Sequence, residues 1–130
     1  MYSILGWINV ILLGVIVAPY VLNFLNKHII KTKSSGFRNL VKILRRFHKP
    51  FGIIMAILAP VHGYMALGSL RLHTGSLLYE SIFITAVLGG SFYKLKKRKL
   101  FQWHKRMALV SFILLLLHLF YPSALWYLLN

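Results

Sequence analysis

The chain has 130 residues, 58% of them hydrophobic, and a formal net charge of +15, because sixteen Lys and Arg residues stand against a single acidic residue. Its mean hydropathy of +0.71 is too high for a soluble domain of this length. The absence of cysteine excludes disulfides, thiolate-ligated iron–sulfur clusters and thioether-attached haem within the chain.

Four apolar segments predict four transmembrane helices. We expect them to form one domain, residues 1–130, with the fold of an all-α integral membrane four-helix bundle. The spans lie at approximately residues 3–25, 48–70, 76–93 and 100–121, each near the about 20 residues that a bilayer core requires. No basic residue precedes the first span, so we interpret it as a retained helix and not as a signal peptide. Because the basic residues alternate with these spans, we expect them to contact a membrane surface and not a nucleic acid.

A basic amphipathic segment at residues 38–49 leads into span two. Its charges suit lipid headgroups, and the same surface suits an acidic redox partner. Pro50 fits either the first turn of span two or a kink where this segment meets the span, and Pro60 should bend the span further along.

The distribution of cations predicts the orientation of the spans. Eight cations lie from Lys27 to Lys49 and seven from Lys94 to Arg106, which leaves only Arg71 in the remaining connector. The positive-inside rule then places both termini outside and makes spans two and four run parallel, from the cytoplasm outward. We expect the protein in a bacterial cytoplasmic membrane.

Spans two and four carry matching pairs of histidines. His48 and His62 are fourteen residues apart, as are His104 and His118, and Phe-His-Lys at 47–49 matches Trp-His-Lys at 103–105. Fourteen residues are nearly four helical turns, so the histidines of a pair share one face, about 21 Å apart along the axis. Two such helices side by side would present two histidines at each of two depths.

The chemistry of two histidines per depth favours haem. Structural zinc requires four ligands at one point, and a bare copper or iron ion requires further donors, whereas Glu80 is the only carboxylate. A haem supplies four in-plane nitrogens and needs only two axial ligands. The alternative is that the histidines form helix-bridging hydrogen bonds without a cofactor.

Haem propionates require cations or hydrogen-bond donors. Near the inner histidines we predict Arg46, Lys49, Lys105 and Arg106, with Arg45 beside them. The outer histidines have fewer candidates, namely Arg71 with His73, Thr74 and Tyr64. Topology alone also explains the inner cations.

The repeated pair of histidines resembles the dihaem b-type membrane cytochromes, which include the cytochrome b core, cytochrome b561 and ferric-reductase-like transmembrane domains. The likeness covers residues 47–64 and 103–120 closely and the four-span layout more loosely. It implies two haem b groups between spans two and four. His48 and His104 would ligate the inner haem, and His62 and His118 the outer haem. It also implies electron transfer across the membrane.

The chain has no glycine-rich dinucleotide motif, so we expect an electron-transfer subunit of a larger redox complex and not a self-contained enzyme. The expected partners are a cytoplasmic flavoprotein or iron–sulfur subunit and an outer-side acceptor or quinone. A first alternative is a quinone-reactive cytochrome anchor for a soluble dehydrogenase, with Tyr20, Asn23 or Glu80 at the quinone. A second is a non-haem scaffold or proton-handling protein. We interpret His28 and His73 as surface residues, with His73 also a candidate for an acceptor site.

Overall fold

The computed structural model describes residues 1–69 and 71–130, and neither range contains a β-strand. A π-helical turn at Asn26–Ile30 follows the first of five α-helices. The α-helices are α1 (Tyr2–Leu25), α2 (Ser35–Leu67), α3 (Thr74–Leu95), α4 (Arg98–Phe120) and α5 (Ala124–Leu129). Leu70, the predicted last residue of span two, lies outside the described residues.

Among the described residues, four helices are long and apolar enough to cross a membrane, which confirms the prediction of an all-helical chain with four candidate membrane spans. They comprise 29 residues for α1 with its π-helical turn, 33 for α2, 22 for α3 and 23 for α4. The bilayer core needs about 20 residues, so α2 is much longer than a span requires. Its extra length is the basic segment that begins at Ser35.

The basic lead-in and span two form one continuous helix, and no break occurs at Pro50 or Pro60. Each proline removes only one backbone N–H from the helix. Leaving the helix in an apolar environment would strand many more backbone groups without hydrogen bonds. Continuing the helix through both prolines is therefore the less costly arrangement.

Short connectors join the helices at their basic ends. Lys96, in the left-handed region at φ 56°, ends α3 with a backbone hydrogen bond to the Phe92 carbonyl, and α4 begins two residues later. The charged block at residues 94–99 is thus mostly helical. After α1, the Asn26 amide oxygen accepts a hydrogen bond from the Thr32 backbone N–H at 2.8 Å, which closes the first connector.

The chain divides into two compact units, Met1 with residues 3–58 and Tyr2 with residues 59–130. In the first unit, α1 and the beginning of α2 bury Leu13, Ile16, Val41 and Met55. In the second unit, α3 packs against α4. Its buried residues include Thr74, Ser81 and Ser111, small side chains that let two helices approach closely.

Large apolar side chains cover the outside of all four long helices. Trp7 is 64% exposed, Ile53 64% and Leu109 61%. Such a surface is unsuited to water, since soluble monomers rarely expose extended apolar areas, and it is suited to lipid hydrocarbon. The exposed surface therefore supports the integral membrane assignment that the lengths of the helices give.

Candidate functional site: four histidines oriented by neighbouring helices

His104 lies half-buried on α4, where its ring contacts α3. Its Nδ1 atom is 2.7 Å from the backbone carbonyl oxygen of Thr85. A carbonyl oxygen can only accept, so Nδ1 carries the hydrogen and donates it. In this tautomer the lone pair of the ring lies on Nε2.

The ring of His104 occupies space that the absence of a side chain at Gly89 leaves open. A Cβ atom at Gly89 would lie 2.9 Å from both Cε1 and Nδ1 of His104. In an α-helix the N–H of residue i+4 donates to the carbonyl of residue i, so Gly89 is the residue beside the Thr85 carbonyl. We call His104, Thr85 and Gly89 the His104 contact.

His118 meets the beginning of α3 through a side-chain oxygen. Its Nδ1 lies 3.0 Å from Oγ1 of Thr74, and that hydroxyl donates its single hydrogen to the Pro122 carbonyl at 2.7 Å. Because the hydrogen of Thr74 is already used, His118 Nδ1 must be the donor. His118 therefore also has its lone pair on Nε2. Thr74 is completely buried.

A second glycine lies against the ring of His118. A Cβ atom at Gly75 would be 3.1 Å from its Cε1 atom, closer than most Cβ contacts in proteins. Gly75 and Gly89 are fourteen residues apart, as are His104 and His118. We call His118, Thr74 and Gly75 the His118 contact. The two contacts are thus fourteen residues apart on α3 and fourteen residues apart on α4.

His73 has a structural role that the sequence analysis did not predict. It is the N-cap of α3, where its backbone N–H donates to Ser76 Oγ at 2.9 Å and its side chain accepts from the backbone N–H of Gly75. Its ring meets that of His118 edge-on, with centroids 6.1 Å apart. The sequence predicts a surface residue here, because His73 lies in a connector and has no histidine at ligand spacing; a helix N-terminus more often carries Ser, Thr, Asp or Asn.

Between the two contacts, buried hydroxyls join α3 to α4. Ser111 Oγ lies 3.0 Å from Ser81 Oγ and 3.3 Å from Thr85 Oγ1. Its single hydrogen is shared between Ser81 Oγ and the Met107 carbonyl oxygen, which is also at 3.0 Å. Thr85 Oγ1 in turn donates to the Ser81 carbonyl at 2.7 Å. These hydroxyl contacts are compatible with only one register of the two helices, because a slip along either helix would separate the hydroxyls.

His48, in the first unit, makes the same kind of bond to α1. Its Nδ1 is 3.0 Å from the carbonyl oxygen of Ile16, so it too donates from Nδ1. The ring of Tyr20 meets it edge-on at 5.3 Å, and the Arg45 guanidinium lies 6.0 Å from the centroid of that tyrosine.

His62, in the second unit, donates from Nδ1 to the carbonyl oxygen of Tyr2 at 2.8 Å. Gly6 follows Tyr2 by four residues, as Gly89 follows Thr85. The carbonyls that accept from His62 and His48 belong to Tyr2 and Ile16, which are again fourteen residues apart. In all four predicted histidines, Nδ1 thus lies within hydrogen-bond distance of an oxygen atom that belongs to another helix.

The predicted propionate partners lie on the surface. Arg46, Lys49, Arg71, Lys105 and Arg106 are all exposed. Lys105 Nζ lies 4.9 Å from the centroid of the Phe101 ring. The Arg106 guanidinium lies 5.2 Å from the centroid of the Trp103 ring. Their long side chains can reach a charged group near the ends of the helices.

Within residues 1–69 and 71–130, no three His, Cys, Asp or Glu side chains come together as ligands for a metal ion. Glu80, the only carboxylate of the chain, is exposed on α3.

Comparisons with family models, with curated proteins and with solved structures find no match to this chain. The resemblance to dihaem cytochromes b therefore remains an expectation based on the histidine spacing. Thr74 was named only as a candidate near the outer haem, and Gly75 and Gly89 were missed. The fourteen-residue interval between these glycines is the sequence signal that points to them.

Proposed function

We propose that the protein is a membrane electron carrier that binds two haem b groups through its four matched histidines. The observation that carries the proposal is the shared orientation of these rings, each of which donates from Nδ1 to a helix oxygen. Histidines that ligate a metal usually donate their other ring N–H to a carbonyl or a similar acceptor, which sets the tautomer and the ring orientation. Nε2 is then the coordinating atom.

The donor set of the chain fits haem better than other cofactors. It offers imidazoles on apolar helices, no thiolate, and a single exposed side-chain carboxylate. Two imidazoles complete the coordination of a haem iron, and the bound haem would supply a centre that accepts and releases one electron. His62 and His118 are the proposed ligands of one haem. The pairing of His48 with His104 for the other follows from sequence spacing.

The protein would orient the imidazoles, exclude water with its apolar helices and influence the potentials. With the positive-inside orientation, the His48 and His104 ligands lie toward the cytoplasm. We infer that electrons enter there from an acidic flavoprotein or iron–sulfur subunit, since the exposed cations around residues 38–49 and 94–106 would attract such a partner. An acceptor or a quinone would then receive them at the outer side.

The same four hydrogen bonds also suit a second candidate, a scaffold without haem in which the histidines bridge helices. A histidine that donates to a neighbouring helix satisfies its polar ring in the membrane whether or not a metal is bound. The electron carrier is favoured because a bridging role requires neither one tautomer in all four rings nor equal spacing of the histidines.

The test is a reduced-minus-oxidised visible spectrum of the purified full chain, with haem quantified per polypeptide. We expect a low-spin b-type spectrum and about two haems per chain. His118→Ala should remove one haem and keep the other. His28→Ala is the matched control, because His28 lies in the π-helical turn and packs on Phe24. A colourless protein made with ample haem would leave the scaffold as the explanation.

A further inference from the structure

The two contacts on α3 have the same composition, although α3 carries none of the four histidines. Each contains one α4 histidine, one oxygen of α3 that accepts from Nδ1, and one glycine whose missing side chain admits the ring. The accepting oxygens belong to Thr74 and Thr85. Close approach and a hydrogen bond together restrict an imidazole more than either does alone.

Space at the glycines is what allows the hydrogen bonds to form. With a Cβ atom at Gly89, two ring atoms of His104 would be at 2.9 Å, so the ring would have to leave its position. Nδ1, one of those two atoms, is also the atom that donates to the Thr85 carbonyl. A side chain at Gly89 would therefore displace the donor itself. By contrast, a Cβ atom at the adjacent Gly90 would meet nothing within 4 Å.

The register of the two helices connects the two contacts. The bond between Ser111 and Ser81 lies within the segment that separates them. A shift of one residue along α3 rotates its surface by about 100°, which would turn both glycines away from both rings at once. Correct orientation of His104 and of His118 thus depends on the same packing of α3 on α4.

We infer that α3 is the positioning helix for both α4 ligands, with Gly75, Gly89 and Thr74 as positioning residues that present Nε2 of each histidine to its haem. This inference rests on the proposed haem function. It adds that a helix without a ligand decides whether the α4 histidines can bind, and that a glycine on it is as necessary as the histidine opposite.

The test compares Gly89→Ala with Gly90→Ala in the full chain, reconstituted in lipid nanodiscs. Nitrogen-15 NMR of labelled histidine in haem-depleted protein reports which ring nitrogen carries the hydrogen, and His104→Gln assigns the His104 signals. We expect His104 to be the Nδ1–H tautomer in the wild type and in Gly90→Ala, and to lose that form in Gly89→Ala. Loaded with haem, Gly89→Ala should bind about one haem per chain and Gly90→Ala about two.

A second pair of variants covers the case in which Gly89→Ala fails to fold. Thr74→Val removes the acceptor for His118 with little change in shape, whereas Thr74→Ser retains a hydroxyl. We expect the Nδ1–H form of His118 to be lost in the valine variant and retained in the serine variant, with His104 unchanged in both. A general loss of stability would affect both histidines. Loss of the Nδ1–H form in His118 alone would therefore point to the removed acceptor.

The outcomes separate this inference from the proposed function. Wild-type protein that binds about two haems, together with Gly89→Ala and Thr74→Val variants whose tautomers and haem content are unchanged, overturns the inference and leaves the electron carrier intact. Wild-type protein that binds no haem overturns both. A tautomer change in Gly90→Ala equal to that in Gly89→Ala also overturns the inference, because the effect would then not come from the ring contact.

Discussion

The His104 contact and the His118 contact orient their histidines through different kinds of oxygen. His104 donates to a backbone carbonyl, which every residue supplies and which no side-chain substitution can remove. His118 donates to the hydroxyl of Thr74, which keeps its acceptor role because its own hydrogen goes to Pro122. The His104 contact therefore depends on space, and the His118 contact depends on the chemistry of one side chain.

This difference predicts which substitutions harm each contact. A backbone acceptor is robust to changes of sequence but is accessible only where a glycine leaves room. A hydroxyl acceptor can be lost by one substitution, and its loss also leaves the Pro122 carbonyl without its donor. Variants at matched positions on α3 can therefore separate steric from chemical positioning.

The largest expected effect on stability is that of Gly89→Ala. Forcing an extra methyl group into a packed site costs about 1–3 kcal/mol, and displacing His104 Nδ1 from the Thr85 carbonyl costs about 1–3 kcal/mol more. The sum exceeds the gain of about 1 kcal/mol from replacing a helical glycine. Gly75→Ala should cost less, since its shortest contact would be 3.1 Å and not 2.9 Å. Thermal unfolding of the haem-depleted variants in detergent would measure both.

Gly90→Ala is the control for this pair, because only the propensity gain applies there. It should be neutral or stabilise the protein. If Gly89→Ala and Gly75→Ala behaved like Gly90→Ala, the histidine rings would not occupy the space beside these glycines. The conclusion that the glycines position the rings by leaving room for them would then be wrong.

An intermediate effect is expected for Thr74→Val. It removes a fully buried hydroxyl that accepts from the His118 N–H and donates to the Pro122 carbonyl. Leaving a polar group unsatisfied beside a buried side chain costs about 1–3 kcal/mol. Thr85→Val is the matched control at the other contact. Its hydroxyl donates within α3 to Ser81, while the carbonyl that receives His104 remains, so we expect a loss of only about 0.5–1.5 kcal/mol.

Denaturant or thermal unfolding of both valine variants gives the comparison. Equal losses would show that the hydroxyl of Thr74 does no more for His118 than an ordinary intrahelical bond does for a helix. The two histidines would then not differ in how they are held.

The smallest expected effect is that of Ser111→Ala, which removes the hydroxyl between α3 and α4. Interhelical hydrogen bonds in membrane proteins contribute about 0.6 kcal/mol on average, and the contacts of both histidines remain. We expect a slight loss of stability with no change in either histidine tautomer. A tautomer change in both rings would mean that the register of the helices depends on this one side chain.

The four spans and the histidine spacing were accessible from sequence because both depend on local order. An apolar run near the length of a bilayer predicts a helix without reference to any neighbour, and fourteen residues return nearly to the same helix face wherever the helix lies. The continuity of α2 was not accessible in the same way, because the basic lead-in and span two were predicted as adjacent segments and the structure joins them in one helix. Pro50 was consistent with the first turn of span two or with a kink, and the helix runs through it without interruption.

The acceptors of the histidines were decided only when the helices packed. Any carbonyl can accept from a histidine, so nothing in the residues at 16 or 85 marks them out before Ile16 and Thr85 meet His48 and His104. Thr74 and Gly75 are ordinary residues at a helix start until α4 brings His118 beside them. Helix existence and spacing follow from the order of residues, whereas ring orientation follows from which surfaces of two helices come into contact.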